Sequence, residues 1–457
     1  MSRGNVSAVV NSLLSLESDD TPMHIGMLFR FALPKGGDRH FVAELAAAFR
    51  QQSALNAPWH WRLKGRSGLK PQWQECAQVD LDHHFRQLGL PSPGGERELG
   101  VLVSRLHSQL LDSRRPPWEC YLIEGLENGR FALYFKVHRA LVDAAGGAEV
   151  LQAFLSASDA DDTIKAPWTC AIDSEVMGGE QGSWPSPLAA AGNLGKAVSR
   201  LVGAGLRRKS ELAVPYKAPR TALNGPVNRQ RRFATQHYSR ARIRQLGEAL
   251  GESDDNVVLL YLCGSALRRF LKEYNALPDE PLIAAVPQSR VHLSDFNLAF
   301  VALGSDEADP LTRFQSVQRS YAAAIAHLES VAPELRMAYS LAASAPFIAA
   351  QISGAQPWMP AMFNLSFITM PGPTGPRYLG GAELESLHNL SLLMPGSALT
   401  VSCVPCHEGF NIGLTGARDT LPHLQRIAVY MGQALEQLEV AVQARSSEQN
   451  RKVEEAK

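Results

Sequence analysis

No run of about 18 apolar residues occurs anywhere in the 457-residue chain, which excludes an expected membrane-spanning helix. The opening MSRGNVSAVVNSLL carries one arginine and a short apolar run broken by Asn11. It lacks an apolar core and a cleavage site of the secretory kind, so no signal peptide is expected. Cysteine is scarce: the six are Cys76, Cys120, Cys170, Cys263, Cys403 and Cys406, too few for a disulfide framework in a chain of this length. Cys403-Val-Pro-Cys406 is a lone CxxC, whereas a zinc site needs a second ligand pair, and no such pair stands at a suitable spacing. The two thiols therefore read as structural. Excess charge of either sign is also missing, with 45 basic against 45 acidic residues, which argues against a dedicated nucleic-acid binder. No internal repeat appears.

The chain instead has 45% hydrophobic and 20% charged residues, the balance of a folded protein. Its length exceeds one ordinary core, so two lobes are expected. IGMLFRFAL (25–33) alternates like a strand. FVAELAAAFRQQ (41–52) and ERELGVLVSRLHSQLLD (96–112) have helical periods. Two strands then flank Glu127-Asn128-Gly129, a hairpin signal. On the second, Phe131, Leu133, Phe135 and Val137 share one face, and Ala132, Tyr134, Lys136 and His138 the other. Residues 156–226 are rich in Gly, Pro, Ser and charge. They read as a linker enclosing an amphipathic helix with a basic end, either a crossover packed on the protein or a helix lying on an anionic lipid surface. Beyond it come a strand (RRFATQHYS), a helix capped by Ser253 or an adjacent Asp, a short apolar strand ending at Val286-Pro287, and a strand entering Pro371-Gly372-Pro373. A hairpin across Cys403 and Cys406 and a long C-terminal helix close the chain. The expected domains are 1–155, a linker over 156–226, 227–445, and a charged tail over 446–457, predicted to fray.

FALYFKVHRALVDAAGG (131–147) reads as a strand ending at a histidine, a corner, and a helix start. His138 lies opposite the apolar stripe, and Asp143 stands where the helix begins. With RPPWECYLIEGLENGR before it, this segment resembles the signature of the bacterial wax ester synthase/diacylglycerol acyltransferase family. That family has Pro-Leu-Trp-Glu, then a strand ending in HHxxxDG. The motif also belongs to nonribosomal peptide condensation domains and the wider chloramphenicol acetyltransferase-like fold. SLESDDTPMHIGMLFRFALP (15–34) is similar to the family's opening strand. VVLLYLCGSALRRFLKEYNALPDEPLIAAVP, PGPTGPRYLGGAELESL and GFNIGLTGARDTLPHL extend the likeness over nearly the whole chain.

The resemblance implies a two-lobed α/β, chloramphenicol acetyltransferase-like (CoA-dependent acyltransferase) fold with a tunnel between the lobes. It implies acyl-CoA as donor substrate, a fatty alcohol or diacylglycerol as acceptor, and no metal or cofactor. It further implies a cytoplasmic protein, peripheral to the inner membrane or to lipid inclusions. The family's second histidine takes the proton of the attacking hydroxyl, a task suited to a pKa near working pH. The motif aspartate, here Asp143, holds the motif's shape. In this chain the second histidine is Arg139 and the glycine is Ala144. A guanidinium stays protonated and accepts no proton. As neighbours on a strand point to opposite faces, His138 does not take over the base position without a change in the corner.

Asn256, Asn364, Pro371 and Gly372 are the expected substrate-binding residues, by likeness to the family's Asn-Asp and NxxxSNxPGP patterns. Ile368 and Thr369 replace the Ser and second Asn of the latter, which is expected to remove polar groups facing the tunnel, and Gln288-Ser289-Arg290 replaces an Asn-x-Arg pattern. Two readings follow: an O-acyltransferase making wax esters or triacylglycerol, impaired at its base position, or a catalytically inactive paralogue that binds acyl-CoA or lipid or partners an active acyltransferase. A third, acyl transfer to an amine or a polyketide alcohol, has no residue in its favour. His83-His84 and His107 read as structural, and His24 as structural or tunnel-lining.

Overall fold

Strands and helices follow the apolar periods. The structure, a computed structural model, describes the chain except residues 1, 6–13, 15–16, 35, 38–39, 66–71, 145–151, 171–209, 289–296, 356–357 and 456–457. The first half contains β1 (Ser2–Asn5), β2 (His24–Ala32), α1 (His40–Gln51), β3 (Trp61–Lys64), β4 (Gln72–Glu75), α2 (Leu81–His84), β5 (Phe85–Gly89), α3 (Glu96–Ser108), β6 (Trp118–Leu126), β7 (Arg130–His138) and α4 (Arg139–Ala144). After the linker come β8 (Arg231–Ser239), α5 (Arg240–Ala249), α6 (Asp255–Glu273), β9 (Ile283–Pro287), β10 (Leu298–Ala302), α7 (Pro310–Glu329) and α8 (Pro333–Ser353). The chain continues through β11 (Leu365–Thr369), β12 (Tyr378–Leu379), β13 (Ala382–Leu390), β14 (Leu399–Pro405), β15 (Gly409–Ala417) and α9 (Leu424–Glu455). Helix α9 runs through the residues expected to fray. The linker's amphipathic helix lies outside the described residues.

Two six-stranded sheets form the lobes, in the orders β12-β13-β2-β7-β6-β5 and β10-β9-β11-β14-β15-β8, beside a small β1-β4-β3 sheet. This is the expected two-lobed α/β fold, but the lobes are not contiguous in sequence. Residues 378–390, expected within the second lobe, leave it as β12 and β13 to pair with β2 of the first. The β6–β7 hairpin turns where expected, with Asn128 and Gly129 at φ 59° and 65°. Leu126 pairs with Arg130, so the loop is Glu127–Gly129, and its last two positions fall to Asn and Gly, the residues that tolerate positive φ best.

Each face of the first sheet has its own core. Phe131, Leu133, Phe135 and Val137 of β7 pack with Met27, Phe29 and Phe31 of β2, the indoles of Trp59, Trp118 and Trp168, and α1. On the other face Ala132 and Tyr134 meet Leu99, Val103 and Leu106 of α3, and Phe233 of β8. Helix α3 thus lies between the sheets. Its Ser104 and Ser108 hydroxyls accept the N–H groups of Phe233 (3.0 Å) and Arg231 (2.8 Å). As β8 is an edge strand, these serines satisfy donors that would otherwise be left without partners in the interface. The second lobe packs α6, α7 and α9 against one face of its sheet.

Candidate active site

Strand β7 ends at His138 and α4 begins at Arg139, so the rule that strand neighbours face opposite ways stops at this peptide. Three hydrogen bonds donated by backbone amides hold the corner. His138 N–H donates to Pro117 O at 2.9 Å, and Arg139 N–H to Met23 O at 2.7 Å. Ala140 N–H donates to His138 Nδ1 at 3.2 Å. That last bond requires a lone pair on Nδ1, so the proton of the neutral ring sits on Nε2. Nε2–H in turn faces Glu17 Oε1 at 3.3 Å. His138 is 7% exposed, and both its nitrogens are engaged. Arg139 is half-buried at the start of α4. The Asp143 and Ala144 side chains lie outside the described residues, so the aspartate's expected role has no geometry to set beside it.

Beneath the corner lies a buried polar layer. Lys136, fully buried two residues before His138, donates to Glu119 Oε2 at 2.8 Å. It also donates to Leu106 O and Gln109 O, each at 3.1 Å. All three ammonium protons are thereby used, two of them on carbonyls at the C-terminal end of α3, where the helix dipole favours a cation. Glu119 also accepts the Tyr121 hydroxyl at 2.6 Å. Burial alone would raise the Glu119 carboxyl, but the Lys136 ammonium and the two hydrogen bonds outweigh it and hold it below its usual range. Beside this pair, His24 Nε2–H donates to His107 O at 2.7 Å, and a 2.8 Å hydrogen bond joins His107 Nδ1 to the Tyr134 hydroxyl. Burial holds both imidazoles well below their usual range, and neighbouring cations add to the effect. Gly26 makes room for this arrangement: a Cβ there would stand 2.5 Å from Tyr134 Oη.

The expected second-lobe residues are not brought together in one place. Asn256, in the first turn of α6, joins Arg240, Asp254, Thr369, Cys403 and Phe410 in lining a pocket of about 370 Å³. The Thr369 hydroxyl donates to Asn256 Oδ1 at 3.2 Å, so this position keeps a polar group. The cap of α6 is Asp254, which accepts Asn256 N–H at 2.9 Å, and not Ser253. Ile368, the preceding residue, points away from the pocket and packs on the first-lobe core together with Met370 and Val404. That core also contains Ala140, Leu141 and Val142 of α4. Thr369 and Ile368 therefore face opposite sides of the end of β11. Of the two changes, the one at Ile368 is the one that replaces a polar group by hydrocarbon.

Asn364 is fully buried and does not line that pocket. Its oxygen accepts Ile283 N–H at 2.8 Å, and its amide donates to Pro219 O and Asn224 Oδ1, joining the end of the linker to β9. The Pro371 carbonyl accepts Gln152 Nε2–H at 3.0 Å. Gly372 presses its backbone onto Pro405 O, where a Cβ would collide. Residues 289 and 290 lie outside the described residues.

His84 stacks on Trp118 with ring centroids 4.5 Å apart and is hydrogen-bonded to Trp118 O at 2.7 Å, a core position. All six cysteines are free thiols. Cys406 accepts Asn411 Nδ2–H at 3.0 Å, while burial pushes its thiol up to about 11 and that of Cys403 higher still. Among the described residues no group of His, Cys, Asp and Glu side chains is gathered to hold a metal. Glu17 was not legible as a partner of His138, because 121 residues separate them and no periodicity relates them. Lys136 carried a signal: a lysine on the inner face of an apolar strand needs a buried counter-charge.

Comparison with known proteins adds independent findings. Residues 6–258 match the wax ester synthase/diacylglycerol acyltransferase catalytic domain, and residues 295–439 the C-terminal domain of the same proteins. A Mycobacterium tuberculosis protein named provisionally as a diacylglycerol O-acyltransferase is 37% identical over 480 residues, covering 93% of this chain and 95% of the relative. The O-acyltransferase WSD of Acinetobacter baylyi is 32% identical over 446 residues, covering 93% and 95%. The solved wax ester synthase/diacylglycerol acyltransferase from Marinobacter aquaeolei VT8 superposes with a TM-score of 0.80 at 33% identity, over 96% of this chain and 100% of that one. The first condensation domain of the CDA synthetase superposes at 0.56 with 14% identity, over 96% of each chain, and shares the fold alone.

Proposed function

The chain belongs to the wax ester synthase/diacylglycerol acyltransferase family, whose chemistry is acyl-CoA-dependent O-acyl transfer, and from its corner we propose a slow member of that family. The acceptor is a fatty alcohol or diacylglycerol hydroxyl, and the donor a long-chain acyl-CoA. The hydroxyl oxygen attacks the thioester carbon, the carbon–sulfur bond breaks, and the hydroxyl proton ends on the CoA sulfur. One observation carries the reading of slowness. Residue 139 is a guanidinium, and the imidazole beside it has both nitrogens engaged. A missing general base typically costs about 10²–10⁴ in rate. The same engagement favours a second reading, a protein that binds acyl-CoA without turning it over.

The test is CoA release from palmitoyl-CoA by the purified full-length chain, with hexadecanol or a diacylglycerol as acceptor. Release above the protein-free rate, with matching ester, is expected. Retained acyl-CoA binding without release would support the second reading. The acceptors and products are water-insoluble, and we place the protein at a membrane or lipid-inclusion surface. Trp358, 89% exposed, and Leu341 on α8, 41% exposed, support that placement. Among the described residues no helix is long and apolar enough to cross a membrane, so the association would be peripheral. Co-sedimentation with phospholipid vesicles tests it, and a protein that stays in the supernatant at every lipid concentration would refute it.

A further inference from the structure

Residues 17–23 pass beside the motif corner before β2 begins. Glu17 Oε1 faces His138 Nε2 at 3.3 Å and also accepts Met23 N–H at 3.4 Å. The Met23 carbonyl then accepts Arg139 N–H at 2.7 Å. One carboxylate thus reaches both residues at the head of the motif, the first through its ring and the second through a single intervening residue. The Glu17 and His138 side chains are 15% and 9% exposed, so little water competes for the contact. With Ala140 N–H on Nδ1, the ring has one tautomer that satisfies both neighbours, and Glu17 is the group that rewards a proton on Nε2.

We propose that Glu17 is a positioning residue of the corner: with the Ala140 amide on Nδ1, its carboxylate on Nε2–H holds the tautomer and the orientation of His138 and, through Met23, seats residue 139. The analogy in principle is the buried acid of a catalytic triad, which orients an imidazole without itself taking the proton. The inference rests on the functional reading only insofar as this corner is where acyl transfer occurs.

The experiment is long-range ¹H–¹⁵N correlation on the full-length protein carrying ¹⁵N-histidine, with His138 assigned by its loss in His138→Gln. The wild type is expected to show the Nε2-protonated pattern for this ring. Glu17→Gln keeps it, because an amide oxygen still accepts from Nε2–H, whereas Glu17→Ala gives a mixture of tautomers. Glu17→Leu, closer in volume, replaces the alanine variant should that one not fold. An unchanged His138 pattern in the alanine or leucine variant overturns the proposal, as does a glutamine variant that behaves like alanine. A second arm uses Arg139→His, in which adding Glu17→Ala lowers kcat about tenfold with KM for acyl-CoA unchanged and adding Glu17→Gln largely restores it. Loss confined to KM would count against positioning. If Arg139→His gains no activity, the functional reading fails while the tautomer measurement still decides the role of Glu17.

Discussion

Arg139→His restores a proton acceptor at the family's base position and measures how much of the site survives. The corner is suited to the swap because backbone amides donate the bonds that frame it. Pro117 O holds His138 N–H, Met23 O holds Arg139 N–H, and His138 Nδ1 holds Ala140 N–H. These three contacts are donated by backbone amides that Arg139→His retains, and residue 139 is only half-buried, so a smaller ring fits the space. An imidazole with an ordinary pKa near 6.5 is roughly 90% neutral at pH 7.5, whereas a guanidinium is never neutral. General-base catalysis contributes about 10²–10⁴, and the loss of the family's polar group at Ile368 is expected to keep the gain toward the lower end. CoA release from palmitoyl-CoA with hexadecanol, followed with a thiol reagent and checked by ester formation, reads the result. A gain of at least about tenfold is expected, with KM for acyl-CoA little changed. An unchanged rate in a variant that melts like the wild type would refute the reasoning and move the deficit away from residue 139.

Acid should destabilise the fold through its buried histidines. Burial holds His84 down at about 4 and His388 at about 3, against 6.5 when unfolded, and holds His24 and His107 well below the usual range. The unfolded chain therefore binds more protons as pH falls below 6.5, and stability drops until each folded pKa is passed. His84 alone accounts for about 3 kcal/mol by pH 4, and denaturant midpoints that stay flat from pH 6.5 to 4.5 would contradict this. Lys136→Met leaves the Glu119 carboxylate buried with the Tyr121 hydroxyl on it and no ammonium beside it, and should cost about 3–5 kcal/mol, while Lys136→Met with Glu119→Gln costs less than the single change. Additive losses in that cycle would show the pair to be uncoupled. Gly26→Ala drives a methyl into the buried Tyr134 ring and should cost about 1–3 kcal/mol in thermal or denaturant melts, against no measurable loss if the ring can move aside.

What the sequence revealed and what it concealed follow from the range of the forces involved. The β6–β7 hairpin, the two faces of β7 and the capped start of α6 were legible because they depend on neighbours a few residues away: Asn128-Gly129, a two-residue alternation, an aspartate before a helix. Residues 378–390 were not legible as strands of the first lobe, since their placement depends on an edge of β2 that lies more than 300 residues earlier in the chain. The same distinction runs through the site. The substitution of arginine for the second motif histidine is a property of two adjacent letters and could be read directly, together with the loss of a base. The state of His138 could not, because it depends on Glu17 from one direction and the Ala140 amide from the other, and only the assembled corner brings the two together. Asn256 and Asn364 carried equal weight as letters in a pattern. One lines a pocket, while the other has its amide oxygen and nitrogen consumed by backbone and Asn224. An asparagine whose hydrogen-bonding atoms are already taken has nothing left to offer a substrate, so motif position alone cannot tell a binding residue from a joint. The departures at Ile368 and Thr369 separate in the same way. Alternation along β11 turns Thr369 toward Asn256 and Ile368 into the first-lobe core, so one change keeps a hydrogen bond and the other exchanges a polar group for packed hydrocarbon.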